Sequence, residues 1–279
     1  DTETIATDLA YWKFDPEENW HGYKGYDKDQ YVVDPMKLQL ITPGINVEDD
    51  SFEDFGINAT ILFAFLRENN ITPEKTSLYS LLFLITPAET KVKLDNLIAQ
   101  LVRFERLVDE DAPLYEVLPT TYKQYFAQYR DYTIRQLCQE MHDFYKSNNV
   151  KELQKQLFMK DYLPEQGISA QQAHNALVRN DGELVPLSQI EGRIALDDAL
   201  PYPPGVVCVM SGERWSKTAT KYFQTLVDGI NALPGFAPEI QGVVMGTDKD
   251  GKAMASGYVL KKELEDEYKA EYVTERVND

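Results

Sequence analysis

Between Ile57 and Thr86 the chain changes its hydrophobic rhythm once, and that change limits what it can become. Ile57, Ile61, Leu62, Phe65 and Leu66 recur at i, i+4, i+5, i+8 and i+9, the spacing of one buried helix face. Asn69-Asn70 and Pro73 end this pattern, because a proline pushes the residue before it into an extended conformation. SLYSLLFLIT (77–86) then runs apolar without polar alternation, the mark of a buried strand. Thr86-Pro-Ala-Glu89 reads as a helix start, with a capping hydroxyl, proline at the first helical position and Glu three residues after the cap. The helix it opens is expected to reach Val108 with Leu94, Leu97, Ile98, Leu101, Val102 and Phe104 inward. Helix, strand and helix in this order suit an α+β layer whose helices cover one face of a sheet. Upstream, YVVDPMKLQLITPGI (31–45) adds two β-prone runs punctuated by Pro35 and by Pro43-Gly44.

The acidic, proline-bearing stretch DEDAPLYEVLPTTYKQY (109–125) is the best candidate for a domain boundary. Helical patterns follow over Thr133 to Tyr145, Val150 to Phe158 and Ser169 to Arg179, with Ser169 as a cap. From Glu183 four β-prone runs appear, ELVPL, GVVCVM, EIQGVV and SGYVL, interrupted by an amphipathic helix from about Ser216 to Leu233. These predict a second, smaller α/β unit. The final KKELEDEYKAEYVTERVND is charged and weakly apolar, so a solvated helix or frayed tail is expected. With 279 residues, two domains are comfortable.

Charge narrows the partners. Forty-six acidic side chains against 28 basic ones give a net charge of −18, which repels phosphate backbones and anionic headgroups and draws in cations. Nucleic acid and membrane are therefore not expected partners, and no apolar run approaches the ~20 residues of a membrane span. The opening DTETIATDLAYW has no basic n-region, no apolar h-region and no Met, which suggests a chain cut from something longer. Cys138 and Cys208 lie far apart without CxxC or Cys/His spacing. A disulfide framework or zinc site is not expected, and a reducing cytoplasm is the expected home.

No GxGxxG, P-loop, HExxH or GxSxG is present. His21, His142 and His174 have no metal-ligand spacing. His142, within CQEMHDFY, reads as a helix decoration. His21, within WHGYKGY, sits in an aromatic loop that could line a pocket or form a small aromatic core. Two loops stand above background. In ALPYPPGVVCVMSGE (199–213), Pro203 and Pro204 after Tyr202 fix an extended turn, Gly205 lets the backbone swing, and Gly212-Glu213 mark a second turn. This is either a rigid connection or a site lining. In LRENNITPEK (66–75), Glu74 follows a proline between two apolar elements. It is either an exposed carboxylate paired with Lys75 or a buried one that needs a cation.

The runs LRENNITPEK, SLLFLITPAE, RQLCQEMHDFY, GRIALDDALPYPPGVVCVMSGE and LPGFAPEIQGVV, in collinear order, resemble the C-terminal part of bacterial ornithine decarboxylases. These belong to the fold-type I, pyridoxal-phosphate-dependent Orn/Lys/Arg decarboxylases. The resemblance covers about Ile5 to Leu260, and the GRIA…LPYPPG…SGE run is specific to the family. It implies an aminotransferase-like small domain over 1–118, incomplete at its N-terminus, and the family's C-terminal domain over 119–279. It also implies pyridoxal 5'-phosphate as cofactor, L-ornithine as substrate, and a homodimer or higher oligomer. In such enzymes the cofactor-binding lysine follows Ser-x-His, whereas here the three histidines precede Gly22, Asp143 and Asn175. The resemblance therefore places the cofactor on a large domain of the same parent chain, outside this span. It carries one substrate-binding residue onto this sequence, Glu74, as the carboxylate that pairs with the distal ammonium. Tyr202, Pro203, Pro204, Gly205 and Glu213 recur in the family's pattern and are candidates for a pocket rim or subunit contact. The alternatives are a stand-alone binding or regulatory module derived from such an enzyme, and an acidic α/β interaction protein without a ligand.

Overall fold

A computed structural model describes residues 1–18, 24–49, 51–202, 205–236 and 238–278. Its first unit, Asp1–His142, is built on a three-stranded antiparallel sheet. A short helix, α1 (Thr2–Thr7), precedes the edge strand β1 (Lys37–Ile41). Helix α2 (Ala59–Glu68) follows, capped by Asn58, whose Oδ1 accepts the Thr60 N–H at 2.9 Å. It ends at Asn69, and Asn70 takes a left-handed φ of 62°. The chain returns through β2 (Lys75–Thr76) and the central strand β3 (Ser80–Leu84), giving the order β1-β3-β2.

Strand β3 is buried on one face only. Leu81 and Phe83 point toward α2 and are buried, while Leu82 is half-buried and Leu84 exposed on the opposite face. The non-alternating run 77–86 predicts two covered faces; the described residues cover one. Helix α3 (Lys91–Asp109) also starts later than expected. Thr86–Glu89 forms a turn closed by the Glu89 N–H on Thr86 O at 3.0 Å, and Thr90 is the cap instead. Of the side chains expected inward, Leu97 and Phe104 are buried, Leu94 and Leu101 half-buried, and Ile98 and Val102 exposed.

The acidic run 109–125 is tied into this first unit. It holds α4 (Leu114–Val117) and α5 (Pro119–Gln124), followed by α6 (Phe126–Tyr129) and α7 (Ile134–Ser147). The Leu114 N–H donates to Tyr132 O, the Ile134 N–H to Ala112 O, and Glu68 accepts the first N–H groups of α5 from Thr120 and Thr121.

The second unit, Asp143–Asp279, carries α8 (Val150–Gln156) and α9 (Ala170–Val178). Helix α9 opens with a complete capping box between Ser169 and Gln172. Strands β4 (Gly182–Pro186) and β5 (Leu200–Tyr202) come next, then α10 (Lys217–Ala232), β6 (Glu239–Gln241), β7 (Val244–Thr247), β8 (Ala253–Leu260) and α11 (Glu265–Asn278). The main sheet runs β4-β8-β7, antiparallel, and β5 pairs with β6. Gly257 in β8 faces Ile190 and Trp215, and the Trp215 ring meets Phe223 of α10 edge-on at 5.2 Å. GVVCVM (205–210) is not a strand: the N–H groups of Cys208 and Val209 share the single carbonyl of Ala199, and that of Met210 is taken by the Glu213 side chain. The C-terminal segment is not a frayed tail either, because Tyr268 of α11 is buried in the core formed by Ile168, Ala173, Ala176, Ile194, Leu196 and Leu260.

Candidate functional site

Glu74 stands at the entrance to β2, held in place by its backbone N–H, which donates to Leu82 O at 2.7 Å. The Pro73 ring behind it is buried, so the carboxylate is projected from a fixed point. Its side chain is exposed and pairs with no described residue; Lys75 does not close on it. The sheet therefore presents an uncompensated negative charge one strand away from Leu82.

Leu82 also lines a cleft of about 730 Å³ on the same sheet. Lys37 and Gln39 of β1 contribute one wall, and Phe14, Lys24, Tyr26 and Tyr31 contribute another. Phe14 and Tyr26 stack at 5.8 Å, and Tyr31 meets Tyr26 edge-on at 5.3 Å. The described part of WHGYKGY, residues 24–26, is thus a cleft wall with Tyr26 in a half-exposed aromatic cluster, while His21 lies outside the described residues. The sequence pointed to the WHGYKGY part of this wall alone, since the lining residues come from four separate stretches.

His142 is fully buried rather than decorating a helix. Its Nδ1 lies 2.7 Å from Tyr79 Oη, its Nε2 lies 2.9 Å from Glu53 O, and Phe52 packs edge-on at 5.6 Å. A Cβ at Gly56 would overlap the imidazole, so glycine is required there for the ring to approach the backbone.

In the second unit, Tyr202 ends β5 opposite Glu239 and is 48% exposed. The Gly205 N–H donates to Pro201 O at 2.8 Å, and Pro203 and Pro204 lie outside the described residues. Glu213 is engaged locally: its carboxylate accepts the Met210 N–H at 2.8 Å, closing the turn that holds Gly212. Asp198 accepts both the N–H and the hydroxyl of Ser211, at 2.7 and 2.8 Å. Gly212 itself has φ +90°, and its carbonyl accepts the N–H groups of Gly167 and Ile168. SGE is a hydrogen-bonded corner in this chain, and the signal for it was the Gly with its flanking side-chain acceptors.

Both cysteines are buried, and burial pushes each thiol up to about 12. Neither is a nucleophile at neutral pH. Among the described residues no three His, Cys, Asp or Glu side chains are grouped to hold a metal, and no described helix is long and apolar enough to cross a membrane. No described lysine is buried, although an aldehyde cofactor held through a lysine needs one shielded from water. Lys37, on the cleft wall, is instead 3.4 Å from Asp34. The residues present do not form a pyridoxal phosphate site.

Comparison with known proteins resolves the family. Residues 2–93 match the Orn/Lys/Arg decarboxylase major domain and residues 151–261 match the Orn/Lys/Arg decarboxylase C-terminal domain. The chain belongs to the Orn/Lys/Arg decarboxylase family. It is 54% identical over 264 residues to the inducible ornithine decarboxylase of Lactobacillus sp. (strain 30a), an alignment covering 95% of this chain and 36% of that protein. It is 56% identical over 260 residues to an ornithine decarboxylase of Haemophilus influenzae, covering 93% and 36%. Among solved structures it resembles lysine decarboxylase A from Pseudomonas aeruginosa, with a TM-score of 0.83 and 32% identity over 90% of this chain and 33% of that one. The chain thus spans about a third of the length of the decarboxylases it matches. Glu74 falls in the stretch matching the major domain, and Tyr202 to Glu213 in the stretch matching the C-terminal domain.

Proposed function

We propose that this chain is part of a pyridoxal-phosphate-dependent ornithine decarboxylase, which converts L-ornithine to putrescine and carbon dioxide, and that Glu74 receives the substrate's distal ammonium. The observation that carries this reading is the gap in identity: 54% and 56% to two ornithine decarboxylases against 32% to a lysine decarboxylase. In this reading residues 1–118 act as the aminotransferase-like small domain and 119–279 as the C-terminal domain. The cofactor lies on a large domain of the same parent outside these residues. The parent is a cytoplasmic homodimer or higher oligomer.

Glu74 suits the role because it is a carboxylate without a competing cation, on a backbone fixed by Pro73 and Leu82. A charge-assisted hydrogen bond to an ammonium contributes roughly 1.5–3 kcal/mol. A diamine acid longer by one methylene would carry its ammonium past this carboxylate, a difference worth about 10- to 200-fold in selectivity. The chain's net charge of −18 raises the local concentration of such a cation.

The test is carbon dioxide release from ornithine by the full-length parent, native beside Glu74→Gln, with cofactor absorbance recorded for both. A loss on the order of tenfold to a hundredfold in kcat/KM with intact absorbance supports family role and residue together. An active native enzyme with an unimpaired variant removes Glu74 from the site. A native protein inert toward ornithine, lysine and arginine favours a derived binding module.

A further inference from the structure

Helix α3 carries more apolar surface than its own unit covers. Ile98 is 59% exposed and Val102 58% exposed, next to the half-buried Leu94 and Leu101. At about 100° per residue, Lys91, Ile98, Val102 and Asp109 fall in one strip roughly 40° wide. Asp95 and Arg106 lie together along one flank of that strip. We infer that this strip is an antiparallel contact with α3 of a second copy of the chain.

The argument is charge complementarity about a centre. Ile98 and Val102 are equidistant from Gln100, and so are Lys91 and Asp109. Turned end for end about that point, Ile98 meets Val102 of the second copy and Lys91 meets its Asp109. Asp95 and Arg106 stand five and six residues from the centre, on the same flank, so each meets the other across the axis. A two-fold contact repeats every pairing, which gives four opposite-charge pairs around an apolar middle. Within one helix Lys91 is 2.7 Å from Asp95, and Arg106 Nε is 4.0 Å from Glu110. All these side chains are exposed and can turn to a partner. Asp109 pairs with no described residue. A parallel pairing would stack Lys91 on Lys91 and Asp109 on Asp109, so the pattern selects the antiparallel one.

This inference does not depend on the substrate of the longer protein. One helix buries less than the usual ~800 Å² per partner, so the dimer is weak and concentration-dependent. Sedimentation velocity of the 279-residue chain over a hundredfold concentration range is expected to show a rise from monomer to dimer mass. Ile98→Asp with Val102→Asp, both on the exposed strip, should hold it at monomer mass with unchanged circular dichroism. Asp95→Arg should weaken the dimer about tenfold or more, and Asp95→Arg with Arg106→Asp should restore it. The exchange breaks both intrahelical pairs, so recovery cannot come from helix stability. A monomer at every concentration, a dimer indifferent to Ile98→Asp, or an exchange no better than the single variant each overturns the inference; in those cases other residues cover or share the strip.

Discussion

Tyr79 Oη and His142 Nδ1 are joined by a buried hydrogen bond of 2.7 Å, and the far side of the ring is held as well. Glu53 O, 2.9 Å from Nε2, can only accept, so Nε2 carries a proton. The imidazole joins the start of β3 to the loop before α2. Tyr79→Phe leaves Nδ1 buried without this partner, at a cost of about 1–3 kcal/mol. Urea unfolding of the variant should show a lower midpoint at unchanged slope. A midpoint equal to the native one would mean that this bond adds nothing.

Thiol chemistry offers a second check. With Cys138 and Cys208 both buried and pushed up to about 12, the thiolate fraction at pH 8 is minute. A disulfide reagent should leave both untouched in native buffer and label both in denaturant. Rapid native labelling of either would show that the core around it opens.

The docking of α11 should be acid-sensitive. Burial raises the Glu265 carboxyl, but hydrogen bonds from Lys269, at 2.6 Å, and from Arg214 outweigh it, and the net is a carboxyl held below the usual range. A depressed carboxyl contributes stability that is full above the unfolded value, about 4.3 for Glu. That contribution is lost as pH falls through the folded value. Glu265→Gln should therefore destabilise at pH 7 and lose progressively more of that effect below about pH 4. An equal penalty at pH 7 and pH 3 would assign the loss to packing.

Gly212→Ala should be costly in the second unit. A methyl group there overlaps Ile168 O, and φ +90° is a conformation that alanine rarely adopts. Strain of this kind costs on the order of 1–3 kcal/mol. Thermal unfolding measures it, with Glu213→Gln as comparison, since that change weakens the same corner without the clash. A Gly212→Ala melting temperature above that of Glu213→Gln would contradict this account.

Much of the fold could be read from local pattern because local chemistry decides it. Asn69-Asn70 ends α2, and Ser169 and Ser216 cap α9 and α10, since each need is met within one turn of chain. Elsewhere two neighbours competed. Thr86 and Thr90 are both able caps, and the turn closed by Glu89 leaves the role to Thr90. GVVCVM has strand composition, yet its donors are consumed by Ala199 and Glu213, which no periodicity can report. Burial of His142 and Tyr268 depends on partners far along the chain, so their residue types alone suggested solvent. The family was legible from extended runs such as GRIALDDALPYPPG, whereas Glu74 carried no signal apart from that resemblance.

The seat of Tyr268 also bears on the order in which the chain is made. Gln172 Nε2 donates to the backbone carbonyl of Tyr268, although the two lie 96 residues apart. The apolar cluster laid down around Ile168 and Ile194 therefore waits, unfinished, while the ribosome completes everything between. Through that interval its surface is open to chaperones and to neighbouring nascent chains. The unit therefore closes its core only once α11 has left the ribosome.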